Sequence, residues 1–256
     1  MLNDLAAMVT GALHEARYAL TVMGRTLAYV LGARWDRGAI LRQMFGMGNR
    51  SLIFVLLTLG FLGAIMNLQT GFQAQRLFGD ASLVGAQTLP LVVRLFGPTL
   101  TGLMVATRVG TGIAAEIGSM VVTEQVDALR MSGAPPEDFL VKPRLLASVV
   151  MMPVLAIFGT TASFFAGMGV SYSVFQVNPA TYANFDLLVA SDLVEGLSKA
   201  VAYGVVVPVI AAAAGLEARG GSEGVGRATT RAVVNASLAV IVLDFVIGGA
   251  FFVVRT

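Results

Sequence analysis

Three charged residues lie within long apolar stretches of the sequence, where a charge is costly. They are Arg94, Lys199 and Asp244. At the centre of a bilayer an arginine costs roughly 2.5–3.5 kcal/mol on insertion scales, so such a residue usually faces a cavity or a charged partner. Arg94 has the chemistry to bind an anion such as a phosphate, because its guanidinium group is permanently charged. Together the three residues also have the chemistry of an ion or proton relay.

Two plainer roles stay open for these charges. Arg94 can instead snorkel toward a nearby interface, since the ends of its helix are not set by the sequence. Asp244 can instead be a structural partner of Lys199 or of backbone donors.

Side chains for covalent or metal chemistry are scarce. The chain has no cysteine and a single histidine, His14, which we expect on the surface of a helix. Thiol nucleophiles and cysteine-based zinc sites are excluded, and a Ser-His-Asp triad would have to use His14. One intramembrane aspartate, Asp244, is too few for a protease dyad. The sequence therefore disfavours an intramembrane protease, and a formal net charge of +2 does not indicate nucleic-acid binding.

Two glycine-containing motifs look like nucleotide-binding loops but lack the required context. Gly110-x-Gly112-x-x-Ala115 follows a predicted membrane helix rather than a strand, so its glycines are expected to permit close helix packing. The run over residues 220–226 lacks the Gly-Lys-Ser/Thr ending of a P-loop. No cofactor is therefore expected in this chain, and any ATP must bind a separate ATPase chain.

The elements that carry these residues are predicted to be membrane helices. The chain is 56% hydrophobic and 12% charged, with a mean hydropathy of +0.80, whereas soluble domains carry about 25% charged residues. We predict an all-α integral membrane protein with five transmembrane helices. The predicted spans are residues 51–75, 81–107, 145 to about 171, 192–216 and 232–254.

The N-terminal part, residues 1–48, is predicted to be an interfacial region that precedes a transmembrane domain over residues 49–256. Its apolar residues recur near helical spacing and arginines lie between them, which predicts an amphipathic helix on the membrane surface. A soluble helical hairpin that packs on a partner is the alternative. The apolar set is Leu2, Leu5, Val9, Leu13, Leu20, Met23, Leu27 and Val30; the arginines are Arg17, Arg25, Arg34, Arg37 and Arg42, with Tyr29 and Trp35 as interface anchors.

The distribution of Lys and Arg predicts the orientation. Six precede the first span, four lie in residues 108–144 and three in residues 217–231, which together make thirteen of 17. These segments are alternate connections of a five-span chain, and positive residues favour the cytoplasmic side. The N-terminus is therefore predicted to be cytoplasmic and the C-terminus external.

The segment over residues 108–144 holds nine of the 32 charged residues. On a helical wheel of residues 116–131, a polar arc lies opposite an apolar face, which predicts a short amphipathic helix. Asp127 and Arg130 are spaced to pair, Gly133 is a natural C-cap, and Pro135 and Pro136 stop the helix. The polar arc is Glu116, Ser119, Thr123, Asp127 and Arg130, with Glu124 at its edge. Such a helix either presents its polar face to a partner or is a solvated loop helix.

Two blocks of this sequence resemble MlaE-type permeases, the membrane subunits of MCE-associated ABC transporters. The first block reads RVGTGIAAEIGSMVVTEQVDALRMSGAPPEDFLVKPR (residues 108–144), and the second reads GVGRATTRAVVNASLAVIVLDFV (residues 224–246). Arg94 and the following Gly97-Pro98 are also similar to that family, and the resemblance runs from about residue 50 to the C-terminus. Related sequences often carry Glu where this chain has Leu95, so any role of that carboxylate is in doubt here.

The resemblance implies a homodimer in the bacterial inner membrane, with the C-terminus periplasmic. It also implies cytoplasmic ABC ATPase subunits that hold ATP and Mg, a periplasmic MCE-domain protein, and phospholipid as cargo. The coupling helix, over about residues 119–132, would lie in the ATPase groove and use Thr123, Glu124, Gln125, Asp127 and Arg130. A lipid cavity at the dimer interface, between the first, second and fifth spans, would use Arg94, Leu95, Leu56, Phe61, Leu91 and Asp244.

The predicted function is thus the permease subunit of an ATP-driven lipid transporter, not itself an enzyme. The alternative is a secondary transporter that uses Arg94, Lys199 and Asp244 as an ion or proton relay. Five spans without inverted halves weigh against that class.

Overall fold

The long apolar runs form helices, as the sequence predicts. The computed structural model describes residues 2–32, 35–82 and 84–255, and leaves the side chains of residues 2–9, 12, 254 and 255 undescribed. Arg34 and the side chains of Leu2, Leu5 and Val9 lie outside the described part. The residues within it form helices and no strand, so the all-α prediction is confirmed.

Five helices of the described residues are long and apolar enough to cross a membrane. They are α2 (Arg37–Phe78), α3 (Val84–Val122), α5 (Glu137–Phe175), α7 (Ala190–Leu216) and α8 (Gly221–Arg255). Three further helices flank them: α1 (Leu2–Leu31), α4 (Gln125–Met131) and α6 (Pro179–Tyr182).

Helix α2 starts well before the predicted first span. Asp36 caps its N-terminus by accepting a hydrogen bond from the Ala39 N–H at 3.1 Å. Gly79 ends it in the left-handed conformation, with φ of 73°. Because the caps lie at 36 and 79, the helix runs unbroken through the predicted domain division after residue 48.

Helix α7 is the central helix of the bundle. In its most apolar window 67% of the residues are buried, against 28% in α2 and 11% in α8. Small residues let its neighbours approach closely: a Cβ at Gly204 would lie only 2.9 Å from the Ser148 carbonyl oxygen of α5. Helices α2 and α8 have the smaller buried shares because they lie outside α7, and they keep broad apolar faces exposed.

The predicted single helix over residues 116–131 is wrong in its extent. Helix α3 continues to Val122, and α4 starts anew at Gln125. Between them Glu124 adopts a left-handed conformation, with φ of 61°, and turns the chain. Gly133, with φ of 77°, follows the end of α4 as predicted.

The connection from α5 to α7 is held to the bundle by a buried polar contact. The Tyr182 hydroxyl donates to Asn67 Oδ1 of α2 at 3.0 Å, and both residues are only 2% exposed. Burial raises the pKa of the Tyr182 hydroxyl above its ordinary value, so it stays protonated and donates this bond.

Candidate functional site

Arg94 lies on a π-helical turn of α3 over residues 92–96. Pro98 follows four residues after Arg94 and has no N–H to donate to the Arg94 carbonyl, which an ordinary helix would require. A buried carbonyl without a donor is costly. The Arg94 carbonyl thus needs a donor other than the nitrogen of residue 98, and π-helical turns of the kind around it are frequent at functional sites.

Lys199 of α7 supplies that donor. Its side chain is 1% exposed, and its Nζ donates to the Arg94 carbonyl oxygen at 3.2 Å. The same Nζ lies 3.0 Å from Glu195 Oε1 and 3.0 Å from Asp244 Oδ1. A buried ammonium is tolerated only with such partners. Lys199 therefore ties α3, α7 and α8 together.

Asp244 is the second centre of this cluster. Its Oδ1 accepts hydrogen bonds from the Thr99 hydroxyl at 2.8 Å and the Tyr203 hydroxyl at 3.0 Å, in addition to pairing with Lys199. Asp244 thus pairs with Lys199, which is one of the two roles that the sequence left open for it.

The Arg94 guanidinium has a looser environment than Lys199. Its side chain is 39% exposed, and its Nη1 lies 3.8 Å from Asp192 Oδ1 of α7. This distance makes an ion pair but exceeds that of a hydrogen bond. Arg94 is thus a partly exposed cation inside a helix long enough to cross a membrane.

The predicted lipid-cavity residues lie on three helices: besides Arg94 on α3 and Asp244 on α8, four apolar residues lie on α3 and α2. Leu91 and Leu95 are half-buried at either side of Arg94 on α3. On α2, Leu56 is half-buried and Phe61 is 68% exposed. Since the predicted cavity lies between two copies, a single chain presents one side of it, and the cavity stays a prediction.

Sequence reasoning missed two acidic members of the cluster, Asp192 and Glu195. Both are buried near the start of α7, at 3% and 6% exposure. The spacing of Glu195 and Lys199, one helical turn apart, could have predicted that these two residues pair. The sequence could not predict that Asp192 and Glu195 lie close to the α3 turn, because that depends on how α7 packs.

The predicted coupling residues lie together at the end of the molecule where α3 leads into α4. Thr123, Glu124, Gln125, Asp127 and Arg130 are all exposed. Asp127 and Arg130 pair at 3.0 Å, as predicted. Val126 is 2% exposed and anchors α4 to the core, so the segment displays polar groups from a fixed base.

Two ion pairs near this segment connect α5 to α3 and to α1. The Arg144 side chain, only 4% exposed, pairs with Glu116 of α3 at 2.7 Å and donates to the Leu140 carbonyl at 2.6 Å. Arg25 of α1 pairs with Glu137, at the start of α5, at 3.1 Å. These contacts hold the ends of α1, α3 and α5 in one unit.

Comparison with known proteins gives a consistent relationship over most of the chain. The model of the family described as Permease MlaE matches residues 40–249. A probable ABC transporter permease protein of Rickettsia conorii is 38% identical over 83% of both chains. A probable ABC transporter permease protein of Synechocystis is 33% identical over 91% of this chain and 89% of its own. The Arabidopsis thaliana protein TRIGALACTOSYLDIACYLGLYCEROL 1, chloroplastic, is 32% identical over 90% of this chain and 66% of its own.

The helical fold and these relatives define a multi-pass membrane protein that serves as the permease subunit of an ABC transporter. The chain belongs to the MlaE permease family. The ABC transporter names of its relatives imply ATPase partners.

Proposed function

We propose that this permease moves phospholipid or another phosphate-bearing lipid between the inner and outer membranes of a bacterium. It does so as a homodimer, driven by a separate ABC ATPase and working with a periplasmic MCE-domain protein. The observation that carries the proposal is the partly exposed Arg94 guanidinium within an apolar helix. A cation in apolar surroundings matches the chemistry of an amphiphile with an anionic head and long tails.

The exposed apolar surface supports a lipid cargo. Helix α2 exposes Phe61 at 68%, and α8 exposes Phe245 at 82%. Faces of this kind contact lipid, or a second copy of the chain around a lipid cavity. The name of the Arabidopsis relative contains that of a galactolipid, which also favours lipid as the cargo class.

Coupling to the ATPase runs along one helix. Helix α3 carries Arg94 on its π-helical turn and ends at Val122, beside the exposed residues of α4. The distance along the helix is about 40 Å at the usual rise per residue. ATPase closure would move residues 119–132, and α3, braced by the Arg144–Glu116 pair, would carry the motion to the cavity.

The proposed orientation follows from charge. Thirteen of the 17 Lys and Arg residues lie before the first span or in residues 108–144 and 217–231. The positive-inside preference then gives a cytoplasmic N-terminus and a periplasmic C-terminus. This arrangement directs α4 toward a cytoplasmic ATPase.

The test is lipid transfer by the complex reconstituted with its ATPase and MCE partner. We expect ATP-dependent transfer of a fluorescent phospholipid, reduced about tenfold or more in Arg94→Gln because a charge-assisted contact is worth roughly 1.5–3 kcal/mol. Arg76→Gln, at the exposed end of α2, is the matched control and should transfer normally. Full transport by the permease alone, without ATP, would contradict the proposal and favour a secondary transporter.

A further inference from the structure

The two cations near the α3 turn are held very differently. Lys199 Nζ lies 3.0 Å from each of two carboxylates and is 1% exposed. Arg94 Nη1 lies 3.8 Å from Asp192, and the Arg94 side chain is 39% exposed. The first cation is enclosed by its partners, whereas the second has, within the described part of the chain, one ion-pair partner at 3.8 Å and a partly exposed side chain.

Within the Arg94–Asp192 pair, the carboxylate is the fixed member. Asp192 is 3% exposed, and its Oδ2 accepts the Val189 N–H at 3.1 Å at the beginning of α7. Its Oδ1 is the atom that faces Arg94. Arginine in contrast has a long side chain with many rotamers. Any exchange of partners at this point therefore takes place by movement of Arg94.

We propose that Asp192 is the resting counter-ion of Arg94 and competes with the phosphate group of a bound lipid. This inference rests on the proposed function. When the phosphate binds Arg94, it comes close to the buried Asp192 carboxylate, and the two negative charges repel each other. Asp192 thus weakens the hold on the cargo, acting through Arg94 as a positioning residue that assists release.

Asp186 provides a control on the connection that leads into α7. It is acidic and exposed, and its backbone N–H donates to Asn184 Oδ1 at 2.8 Å. Removing its charge changes the net charge of the complex by the same amount as removing that of Asp192. Among the described residues, the carboxylate that forms an ion pair with Arg94 is that of Asp192.

The experiment measures lipid retention in the permease–ATPase complex in phosphate-free dodecyl maltoside micelles that contain a photoactivatable phosphatidylglycerol. The expected result is that Asp192→Asn raises crosslinking and slows lipid dissociation about twofold to fivefold, the effect of a weak competing ion pair. Asp186→Asn should retain lipid as the wild type does. A photoactivatable diacylglycerol, which has no phosphate, should crosslink equally to Asp192→Asn and wild type.

A second variant tests the opposite direction. Asp192→Glu keeps the charge and is one methylene longer, so it can close the 3.8 Å gap and should retain less phosphatidylglycerol than the wild type. This variant still tests the counter-ion role of Asp192 if Asp192→Asn does not assemble. Arg94-dependent binding of radiolabelled inorganic phosphate that excess phosphatidylglycerol does not displace would show that the ligand is free phosphate and would overturn the lipid assignment.

The outcomes separate this inference from the proposed function. If Arg94→Gln loses lipid while Asp192→Asn and Asp192→Glu both match the wild type, the counter-ion role is wrong and the lipid site stands. If Arg94→Gln retains lipid fully, the proposed lipid contact itself fails. An equal gain of diacylglycerol in Asp192→Asn would mean a general packing change and would also overturn the inference.

Discussion

The buried cluster around Lys199 and the exposed segment around α4 contain the same kinds of charged residue in opposite settings. Lys199 and Asp244 satisfy each other between α7 and α8, at 1% and 18% side-chain exposure. Asp127 and Arg130 of α4 also pair at 3.0 Å, but at 61% and 55% exposure. The buried charges hold helices in place, because leaving them without partners is costly. The exposed charges contribute little to stability and are available to a partner protein.

The largest effect is expected from Lys199→Met, which leaves Glu195 and Asp244 buried without their cation. Breaking a buried ion pair on one side costs about 3–5 kcal/mol. We expect a marked fall in the detergent-solubilised melting temperature and in yield. The double variant Lys199→Met/Glu195→Gln removes one of the two carboxylates that have lost their cation and should recover part of the loss in melting temperature. A melting temperature equal to that of the wild type would show that the cluster does not stabilise the fold.

An intermediate effect is expected where a buried residue pairs with an exposed one. Glu116→Ala removes the carboxylate that pairs with Arg144, whose side chain is 4% exposed. A hydrogen bond to a charged group contributes about 1.5–3 kcal/mol, so the free energy of unfolding should fall by roughly that amount. Glu223→Ala, from the exposed Glu223–Arg227 pair, is the control and should cost less than about 1 kcal/mol. If the two variants lose the same free energy of unfolding, burial of one partner does not make an ion pair more stabilising.

The smallest effect on stability, with a large effect on assembly, is expected on α4. Glu124→Lys combined with Asp127→Lys should change the free energy of unfolding by only about 0.5 kcal/mol, since both side chains are exposed. Copurification of the ATPase should nevertheless be lost, because the polar face changes sign. Retained ATPase binding would show that these residues are not the coupling surface.

The sequence was informative where a single helix decides the outcome. Apolar runs predicted the five long helices, and spacing within one turn predicted the Asp127–Arg130 pair. Gly133 was correctly expected after the last turn of α4. The break at Glu124 was missed, because the periodicity of residues 116–131 continues across it and a non-glycine residue rarely adopts a positive φ.

The charged residues within the spans show more clearly what the sequence alone cannot predict. Their types and positions were sufficient to predict that Arg94, Lys199 and Asp244 need cavities or partners. The structure alone decided that Lys199 supplies the donor that Pro98 cannot, and that Asp192 faces Arg94. The physical reason is that composition and periodicity determine where a helix forms and which residues are costly to bury. Which partners remove that cost depends on how α3, α7 and α8 pack, across separations of 41 to 145 residues that no local pattern encodes.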